Sequence, residues 1–356
     1  MAVSLPFLSK GGRRAKMIAV DLGSRTTKAV LLERRGETLA LTGYALLDTP
    51  IFEKKISPEL LADHLRAVAK ALGKITKNIT LTVGLDDALV RQIELPQIPV
   101  DEMRQILKIN HKNYLQQDLP NHVFACHIMP PRLEKIPGAA TPSAVPKLKV
   151  LTAVAKQQVI NDLMLAIKSA GLTAKSLVPV AIAPVNTFEL AHPEIFERET
   201  VALVDIGFKH TSVCILNQGE LVLNRIVNIG GDTLTDWLGK ALNVSHAEAE
   251  GIKIGMAPEV ESALQMQVVP LGREIRASLD FFENQQDRPV SQIFISGGSA
   301  RSEMIQQMLH AELLLECKTW NPIGFLQLAL AGQQAVEIEQ ISPQLTVAVG
   351  AAIAAF

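Results

Sequence analysis

The chain has 356 residues, of which 48% are hydrophobic and 20% are charged, a composition that excludes a disordered protein. This length suits two lobes better than one compact core. The 35 basic and 36 acidic side chains leave a formal charge of −1, so no global field draws the protein to nucleic acid or to anionic lipid.

Residues 1–16 are predicted to form a flexible, solvated tail that carries the basic run 10–16. The start of the chain shows no apolar signal-peptide region, and no window offers the ~18 uninterrupted apolar residues of a membrane span. The cysteines Cys126, Cys214 and Cys317 are scattered and have neither disulfide nor zinc spacing. These features predict a soluble protein of the cytoplasm.

A repeated unit is the most informative feature of the sequence. Residues 18–41 and 202–225 each contain three apolar runs separated by two glycine-containing turns. The copies share an aspartate, a glycine and a threonine, with Asp21 matching Asp205, Gly23 matching Gly207 and Thr27 matching Thr211. Each copy predicts a three-stranded meander with short hairpins.

Each repeat is followed by a helix and then by a strand that ends in glycine. After the first copy, Ser57 is predicted to cap a helix that has Pro58 at its first position, and the strand 79–84 follows. After the second copy, a helix around 234–238 precedes the strand 293–298. Two lobes of the same order predict duplicated α/β domains that face each other across a cleft.

Residues 91–170 interrupt this pattern with a predicted βαββα element that ends in a helix over 157–170. Within it, the proline-rich stretch 130–146 predicts an exposed loop of no fixed shape. The predicted C-terminal helix of the second lobe is expected to pack on the first lobe. The predicted boundaries are therefore 17–90 with 171–200 for the first lobe, 91–170 for an inserted subdomain and 201–356 for the second lobe.

The first hairpin has the residues of a phosphate site. Its glycine lets a ligand approach the backbone, its amides and hydroxyls can donate to phosphate oxygens, and its lysine adds a positive charge. The carboxylate of Asp21 suits a Mg²⁺ ion that keeps most of its waters. An ordinary hairpin is the alternative for one copy alone. The candidate phosphate-binding residues here are Gly23, Ser24, Thr26, Thr27 and Lys28.

The second lobe adds further candidates. Asp205 is a second candidate for Mg²⁺, and Gly207, Thr211 and Gly231 are candidate phosphate neighbours. Gly231 also belongs to an ordinary helix-start signal.

Two motifs of the second lobe suit an adenosine. Gly297 and Gly298 leave bare backbone against which a flat base can lie, and Arg301 can stack on it; a tight strand-to-helix connection is the alternative. Glu250 and Lys253 share a helix face and can hydrogen-bond a ribose or a base edge. A solvent-exposed ion pair is the alternative for these two residues.

The two Asp-x-Gly hairpins, the helix with Glu250 and Lys253 and the Gly297–Gly298 step together resemble the actin, hexokinase and heat-shock chaperone superfamily. The insertion resembles the relocated subdomain of the FtsA and PilM families. The Glu-Leu-Pro strand end at 94–99, the Ala-Gly-Leu at 170–172 and the Glu-Gly-Ile-Lys helix resemble the PilM family of type IV pilus assembly. The resemblance covers about residue 17 to the C-terminus and implies a duplicated actin-like, ribonuclease H-like α/β fold with two lobes and an inserted α+β subdomain.

The resemblance also implies a ligand and a partner. ATP is expected in the cleft, with Mg²⁺ near Asp21 and Asp205, held through water, and with adenosine near the residues 250–253 and 297–301. The N-terminal peptide of a PilN-like inner-membrane protein is expected to dock on the inserted subdomain and the first lobe, and to recruit the protein to the inner face of the membrane. Self-association stays open, and neither nucleic acid nor direct membrane insertion is expected.

The sequence departs from this pattern in two places. Phe208 and Lys209 stand in the second hairpin where small hydroxyl residues are usual, and the neighbouring His210 is expected to face solvent. The connecting stretch 177–183 lacks the carboxylate with which many relatives orient water or deprotonate a hydroxyl. We therefore expect ATP binding with weak or absent hydrolysis.

Three functions follow as hypotheses. The first is an ATP-binding scaffold of pilus, secretion or competence machinery. The second is a sugar-type kinase of the same superfamily, against which the missing connector carboxylate argues. The third is a membrane-associated FtsA-like filament protein, which needs a basic amphipathic tail that residues 351–356 do not provide.

Overall fold

The structure is a computed structural model that describes residues 8–9, 15–51, 55–129, 147–255 and 261–356. The predicted loop 130–146 and residues 1–7 and 10–14 of the predicted tail lie outside this part of the chain. The expectation of a tail fails at strand β1 (Leu8–Ser9), which pairs antiparallel with β9 (Thr173–Pro179). An open sheet edge offers unpaired backbone groups, and β1 satisfies some of them on β9.

The first lobe is built on a seven-stranded sheet with the order β1-β9-β5-β2-β3-β4-β15. Its central strands form the predicted meander and the strand that follows it. The strands besides β1 and β9 are β2 (Lys16–Leu22), β3 (Thr26–Arg35), β4 (Thr38–Asp48), β5 (Asn78–Val83) and β15 (Gln327–Leu328). β2, β3 and β4 pair antiparallel in sequence, and β5 pairs parallel with β2.

Helices cover both faces of this sheet. Helix α1 (Pro58–Ala71) begins as predicted, with the Ser57 hydroxyl accepting from the Leu60 amide at 3.2 Å. α1 shares one apolar core with α3 (Gln157–Ser169) and with one face of β2, β3 and β5. The opposite face packs against the C-terminal helix α11 (Thr346–Ile353).

The second lobe repeats this order on a five-stranded sheet, β12-β11-β10-β13-β14. β10, β11 and β12 form an antiparallel meander, and β13 pairs parallel with β10. The strands are β10 (Thr200–Ile206), β11 (Thr211–Asn217), β12 (Glu220–Val227), β13 (Gln292–Ser296) and β14 (Glu316–Thr319). The helices are α6 (Gly231–Leu242), α7 (His246–Gly255), α8 (Glu261–Gln286) and α9 (Glu303–Leu313).

The inserted segment forms a three-stranded antiparallel sheet with the order β6-β8-β7. It comprises β6 (Ala88–Pro96), α2 (Val100–Leu115), β7 (His122–Ile128) and β8 (Lys147–Lys156). Helix α2 covers one face, and the other face shares a core with β10 and β11 of the second lobe. The helix α3, which the sequence assigns to the insertion, packs instead on α1, because its buried stripe completes the first-lobe core.

Three short helices complete the described part of the chain, α4 (Ala183–Ala191), α5 (Pro193–Arg198) and α10 (Gln333–Ile341). Among the described residues, no helix combines the length and the hydrophobicity that crossing a bilayer requires.

The contact between α11 and α4 depends on a glycine. A Cβ atom on Gly350 would lie 1.8 Å from the Ala183 carbonyl oxygen and 2.6 Å from Thr187 Oγ1. We expect Gly350→Ala to lower the free energy of unfolding by about 3 kcal/mol, because the two helices must separate to admit the methyl group. Urea denaturation measures this change.

The matched control is Gly251→Ala in α7, where a Cβ meets nothing within 4 Å. This helical glycine is expected to gain up to ~1 kcal/mol of stability, since alanine has the higher helix propensity. Equal responses of the two variants would contradict the packing described for α11.

Candidate functional site

The first hairpin joins β2 and β3 and brings a lysine over a carboxylate. Lys28 and Asp21 are directly opposite in the strand register, and Lys28 Nζ lies 3.4 Å from Asp21 Oδ2. A Cβ atom on Gly23 would lie 2.7 Å from this ammonium nitrogen and 2.5 Å from the Thr26 carbonyl oxygen. Glycine is therefore what allows the lysine to lie across the turn.

The second hairpin joins β10 and β11 and contributes Asp205. Ser296 donates a hydrogen bond of 2.8 Å to Asp205 Oδ2. Burial raises the pKa of Asp205 and the charge of Asp21 raises it further, whereas the Ser296 hydrogen bond and the charge of Lys28 oppose this shift. The charges of Asp21 and Lys28 on the first hairpin therefore act on the Asp205 carboxylate of the second hairpin.

The carboxylates of Asp21 and Asp205 fit a Mg²⁺ ion that keeps most of its waters. In the described part of the chain, no cluster of three or more His, Cys, Asp or Glu side chains could ligate a metal. Two carboxylates, one from each hairpin, suit a hydrated cation that takes its other ligands from water and phosphate, and its positive charge would oppose the negative charge of Asp21 that helps to raise the pKa of Asp205.

All three phosphate-binding residues predicted in the second lobe, Gly207, Thr211 and Gly231, donate hydrogen bonds inside that lobe. The Gly231 amide donates to the Gly207 carbonyl at 2.9 Å, and the Thr211 hydroxyl donates to the Ile229 carbonyl at 2.7 Å. The Gly207 amide in turn donates to the carbonyl of His210 at 3.0 Å. These bonds dock the N-terminus of α6 onto the second hairpin, so these groups hold the hairpin rather than stand open to a ligand.

The Thr27 hydroxyl is also turned away from the cleft. Thr27 is fully buried on the α1 side of the sheet, where its Oγ1 lies 2.8 Å from His64 Nε2 and 3.0 Å from Thr49 Oγ1. Successive side chains of a strand point to opposite faces, so Thr27 and Lys28 cannot both face the cleft. Of the hydroxyls predicted at this turn, Ser24 is exposed and Thr26 is half-buried.

Lys253 forms a buried polar cluster with α6, so the alternative of a solvent-exposed ion pair is wrong. Its ammonium nitrogen lies 2.8 Å from Glu250 Oε2, 2.9 Å from the Gly231 carbonyl and 2.7 Å from Thr235 Oγ1. Three acceptors use the three protons of an ammonium group. Burial raises the pKa of Glu250, but the hydrogen bonds from Lys253 and Thr235 and the charges of Lys253 and Arg25 outweigh it and lower this pKa.

The two adjacent glycines after β13 differ in role. Gly297 has φ +94°, and a Cβ there would lie 2.5 Å from the Ile206 carbonyl oxygen. A Cβ on Gly298 would meet nothing within 4 Å, so the backbone is open at this position. The structure thus has both the tight connection and the bare backbone that the sequence predicts. The side chain of Arg301 lies outside the described part of the structure.

Side-chain contacts between the two lobes were not predicted from the sequence. Arg25 Nη1 lies 3.2 Å from Glu250 Oε1, and the Arg25 guanidinium lies 5.3 Å from the centre of the Phe208 ring. His210 Nε2 lies 3.2 Å from Asp86 Oδ2 of the first lobe, so the expectation that His210 faces solvent is wrong. The aromatic residue in place of a small hydroxyl residue was the signal of this contact, because Phe208 offers a face to a cation.

A cavity of about 760 Å³ lies apart from the hairpins. It is lined by residues of α9, β14 and α10, among them Glu303, His310 and Glu339, together with Ala300 and Pro343. It contains none of the residues that the sequence predicts to bind phosphate or metal.

Comparisons with known proteins agree with this architecture. A family model described as type IV pilus assembly protein PilM matches residues 19–356. The solved PilM-PilN type IV pilus biogenesis complex is similar with a TM-score of 0.81 and 21% identity, covering 96% of this chain and 99% of that one. MreB5 of Spiroplasma citri bound to AMPPNP is similar with a TM-score of 0.51 and 12% identity, covering 96% of each chain.

The cell division protein FtsA of Bacillus subtilis (strain 168) is 19% identical over 260 residues, which are 66% of this chain and 57% of FtsA. The chain thus spans little more than half the length of that relative. Together with the two repeated sheets, these similarities confirm the predicted actin-like fold with two lobes.

Proposed function

This chain belongs to the family of the type IV pilus assembly protein PilM, and from that premise we propose that it is an actin-like scaffold that binds ATP and a PilN-like partner. The observation that carries the nucleotide part is the pair of hairpins, one from each lobe, in which the Asp21–Lys28 ion pair of the first acts electrostatically on Asp205 of the second. The AMPPNP bound to the similar MreB5 supports the same assignment.

In this proposal, the first hairpin and the Gly297–Gly298 step hold the nucleotide. Lys28 would neutralise phosphate oxygens as a point charge, and the open backbone at Gly298 would lie against the base. Asp21 and Asp205 would hold Mg²⁺ through its waters, and the ion would supply positive charge to the phosphates. Glu250 would meet the ribose only after it exchanges its contact with Arg25, which lies 3.2 Å away.

We further propose that the site holds ATP without rapid hydrolysis. The connecting segment 177–183 spans the end of β9 and a short 3-10 turn, and it carries no carboxylate. The site therefore lacks, at this connector, the group that orients a water molecule or deprotonates a hydroxyl in members of the superfamily that hydrolyse or phosphorylate.

Calorimetric titration with ATP tests the nucleotide proposal. We expect saturable binding in Mg²⁺ that weakens when EDTA removes the metal, with turnover near the background rate. Sugar-dependent ADP formation would favour the kinase hypothesis, and co-pelleting of the isolated protein with liposomes would favour the FtsA-like one. A titration without heat and without a thermal shift at saturating ATP would contradict nucleotide binding.

We propose that the PilN-like partner docks on the inserted subdomain and the first lobe. The inserted subdomain comprises β6, α2, β7 and β8, and α3 belongs to the first lobe. Exposed apolar side chains on α2 and α3 offer contacts for a linear peptide. Ile109 on α2 is 76% exposed and Leu165 on α3 is 50% exposed. A peptide that fills such sites binds through a few apolar side chains.

Peptide binding tests this docking surface. In fluorescence anisotropy with the N-terminal cytoplasmic peptide of the PilN-like protein, we expect Ile109→Glu or Leu165→Glu to weaken binding by roughly tenfold or more. The matched control is Val336→Glu on α10, where the side chain is 80% exposed. Equal affinity of all three variants and the unmodified protein would place the peptide elsewhere.

A further inference from the structure

A buried hydrogen-bond relay, formed by the side chains of His64, Thr27 and Thr49, connects α1 with the first hairpin. His64 Nε2 lies 2.8 Å from Thr27 Oγ1, which lies 3.0 Å from Thr49 Oγ1. The Thr49 hydroxyl lies 2.7 Å from the Gly23 carbonyl oxygen. His64 is 7% exposed and Thr27 is fully buried, so water does not compete freely for these groups.

The positions of the protons in this relay follow by elimination. The Gly23 carbonyl can only accept, so Thr49 donates its single hydroxyl proton there. The Thr49 oxygen then accepts from Thr27, whose proton is used in turn, and Thr27 must accept from His64. His64 therefore carries a proton on Nε2. Burial lowers the pKa of His64, which keeps the ring in this neutral form at pH 7.

The hydrogen-bond relay fixes the direction of the Ser24 backbone amide. Besides the Gly23 carbonyl, Thr49 holds the Arg25 carbonyl through its own amide at 2.9 Å. The described peptide bonds are all trans, and a trans peptide bond points its C=O and N–H in opposite directions. Because the Gly23 carbonyl points to the α1 side, the Ser24 N–H points to the other side, where Asp21 and Lys28 lie.

We propose that His64 is a positioning residue that acts through Thr27 and Thr49 to hold the first hairpin with the Ser24 N–H directed into the cleft. The identity of the anion that this N–H meets, a nucleotide phosphate, rests on the proposed function. The orientation of the hairpin does not depend on the proposed function. Thr27 changes from a predicted ligand to a member of this relay.

Hydrogen–deuterium exchange on the nucleotide-free, full-length protein tests the relay directly. Thr49→Val keeps the shape of the side chain but removes the donor to Gly23. We expect the peptide covering residues 22–28 to exchange roughly threefold to tenfold faster in this variant, the range that corresponds to one lost hydrogen bond. Thr49→Ser restores the hydroxyl and is expected to restore protection.

The matched control is Thr38→Val. Thr38 begins β4 at the hairpin that joins β3 and β4, whereas Thr49 follows the opposite end of β4. The Thr38 hydroxyl donates to the Arg35 carbonyl at 2.9 Å, so this variant loses a similar bond in a different hairpin. We expect no change in exchange at residues 22–28. Equal exchange there in Thr49→Val, Thr49→Ser and Thr38→Val would overturn the proposal.

Variants of His64 test the origin of the relay. His64→Gln offers an amide donor in place of Nε2, whereas His64→Leu offers none. We expect the glutamine to retain most of the protection at residues 22–28 and the leucine to lose it; equal loss in both would overturn the role of His64. If protection follows these expectations but the unmodified protein binds no ATP, the relay stands and the proposed nucleotide function fails.

Discussion

Replacing Lys28 with methionine is expected to weaken the binding of ATP in Mg²⁺ by roughly 10- to 100-fold, the loss of one hydrogen bond between charged groups. Lys28 Nζ lies 3.4 Å from Asp21 and its charge also stabilises ionised Asp205. On the proposed function, the triphosphate would then meet the negative charges of Asp21 and Asp205 without the positive charge of Lys28. Calorimetric titration of both proteins measures the change.

Lys16→Met is a closely matched control. Lys16 lies opposite Glu33 on the same two strands, and their side chains are also 3.4 Å apart, but at the far end of the hairpin. This partly exposed pair is expected to leave ATP affinity unchanged and stability within about 1 kcal/mol. If both lysine variants bound ATP as the unmodified protein does, Lys28 would have no place in a phosphate site.

The second large effect is expected at Gly297. Gly297→Ala is predicted to lower the free energy of unfolding by about 2–5 kcal/mol, because a φ of +94° strains alanine and the new methyl group overlaps Ile206. The Cβ would lie 2.5 Å from the carbonyl oxygen of Ile206, which is the last residue of β10 and follows Asp205. Thermal or urea unfolding measures the loss.

The neighbouring glycine separates folding from binding. Gly298→Ala meets nothing within 4 Å and is expected to change stability by less than about 1 kcal/mol. On the proposed function, a methyl group at Gly298 would nevertheless lower ATP affinity, because it would stand between the backbone and the base. An equally stable Gly297→Ala variant would contradict the geometry of this turn.

The fold was predictable because its signals are local and occur twice. Alternating apolar runs and glycine turns define the meanders, and Ser57 with Pro58 marks the start of α1. The match of Asp21 with Asp205 indicated that the two hairpins are equivalent. The position of α3 was not predictable, since an amphipathic helix does not specify which apolar surface it covers.

The candidate site was predictable in part. Strand alternation alone places Thr27 and Lys28 on opposite faces, and this signal was present in the sequence. The burial of Lys253 depends on α6, which supplies the Gly231 carbonyl and the Thr235 hydroxyl from more distant positions. The contact of Arg25 with Phe208 joins residues of different lobes, which no local pattern reports.

A crystal structure with AMPPNP and Mn²⁺ is the most direct test of nucleotide binding between the two hairpins. We expect the triphosphate between the two hairpins, within contact of Lys28, and an anomalous manganese peak between the carboxylates of Asp21 and Asp205. A nucleotide bound at the 760 Å³ cavity beside α9, or a cleft that stays empty at saturating AMPPNP, would contradict a nucleotide site between the hairpins.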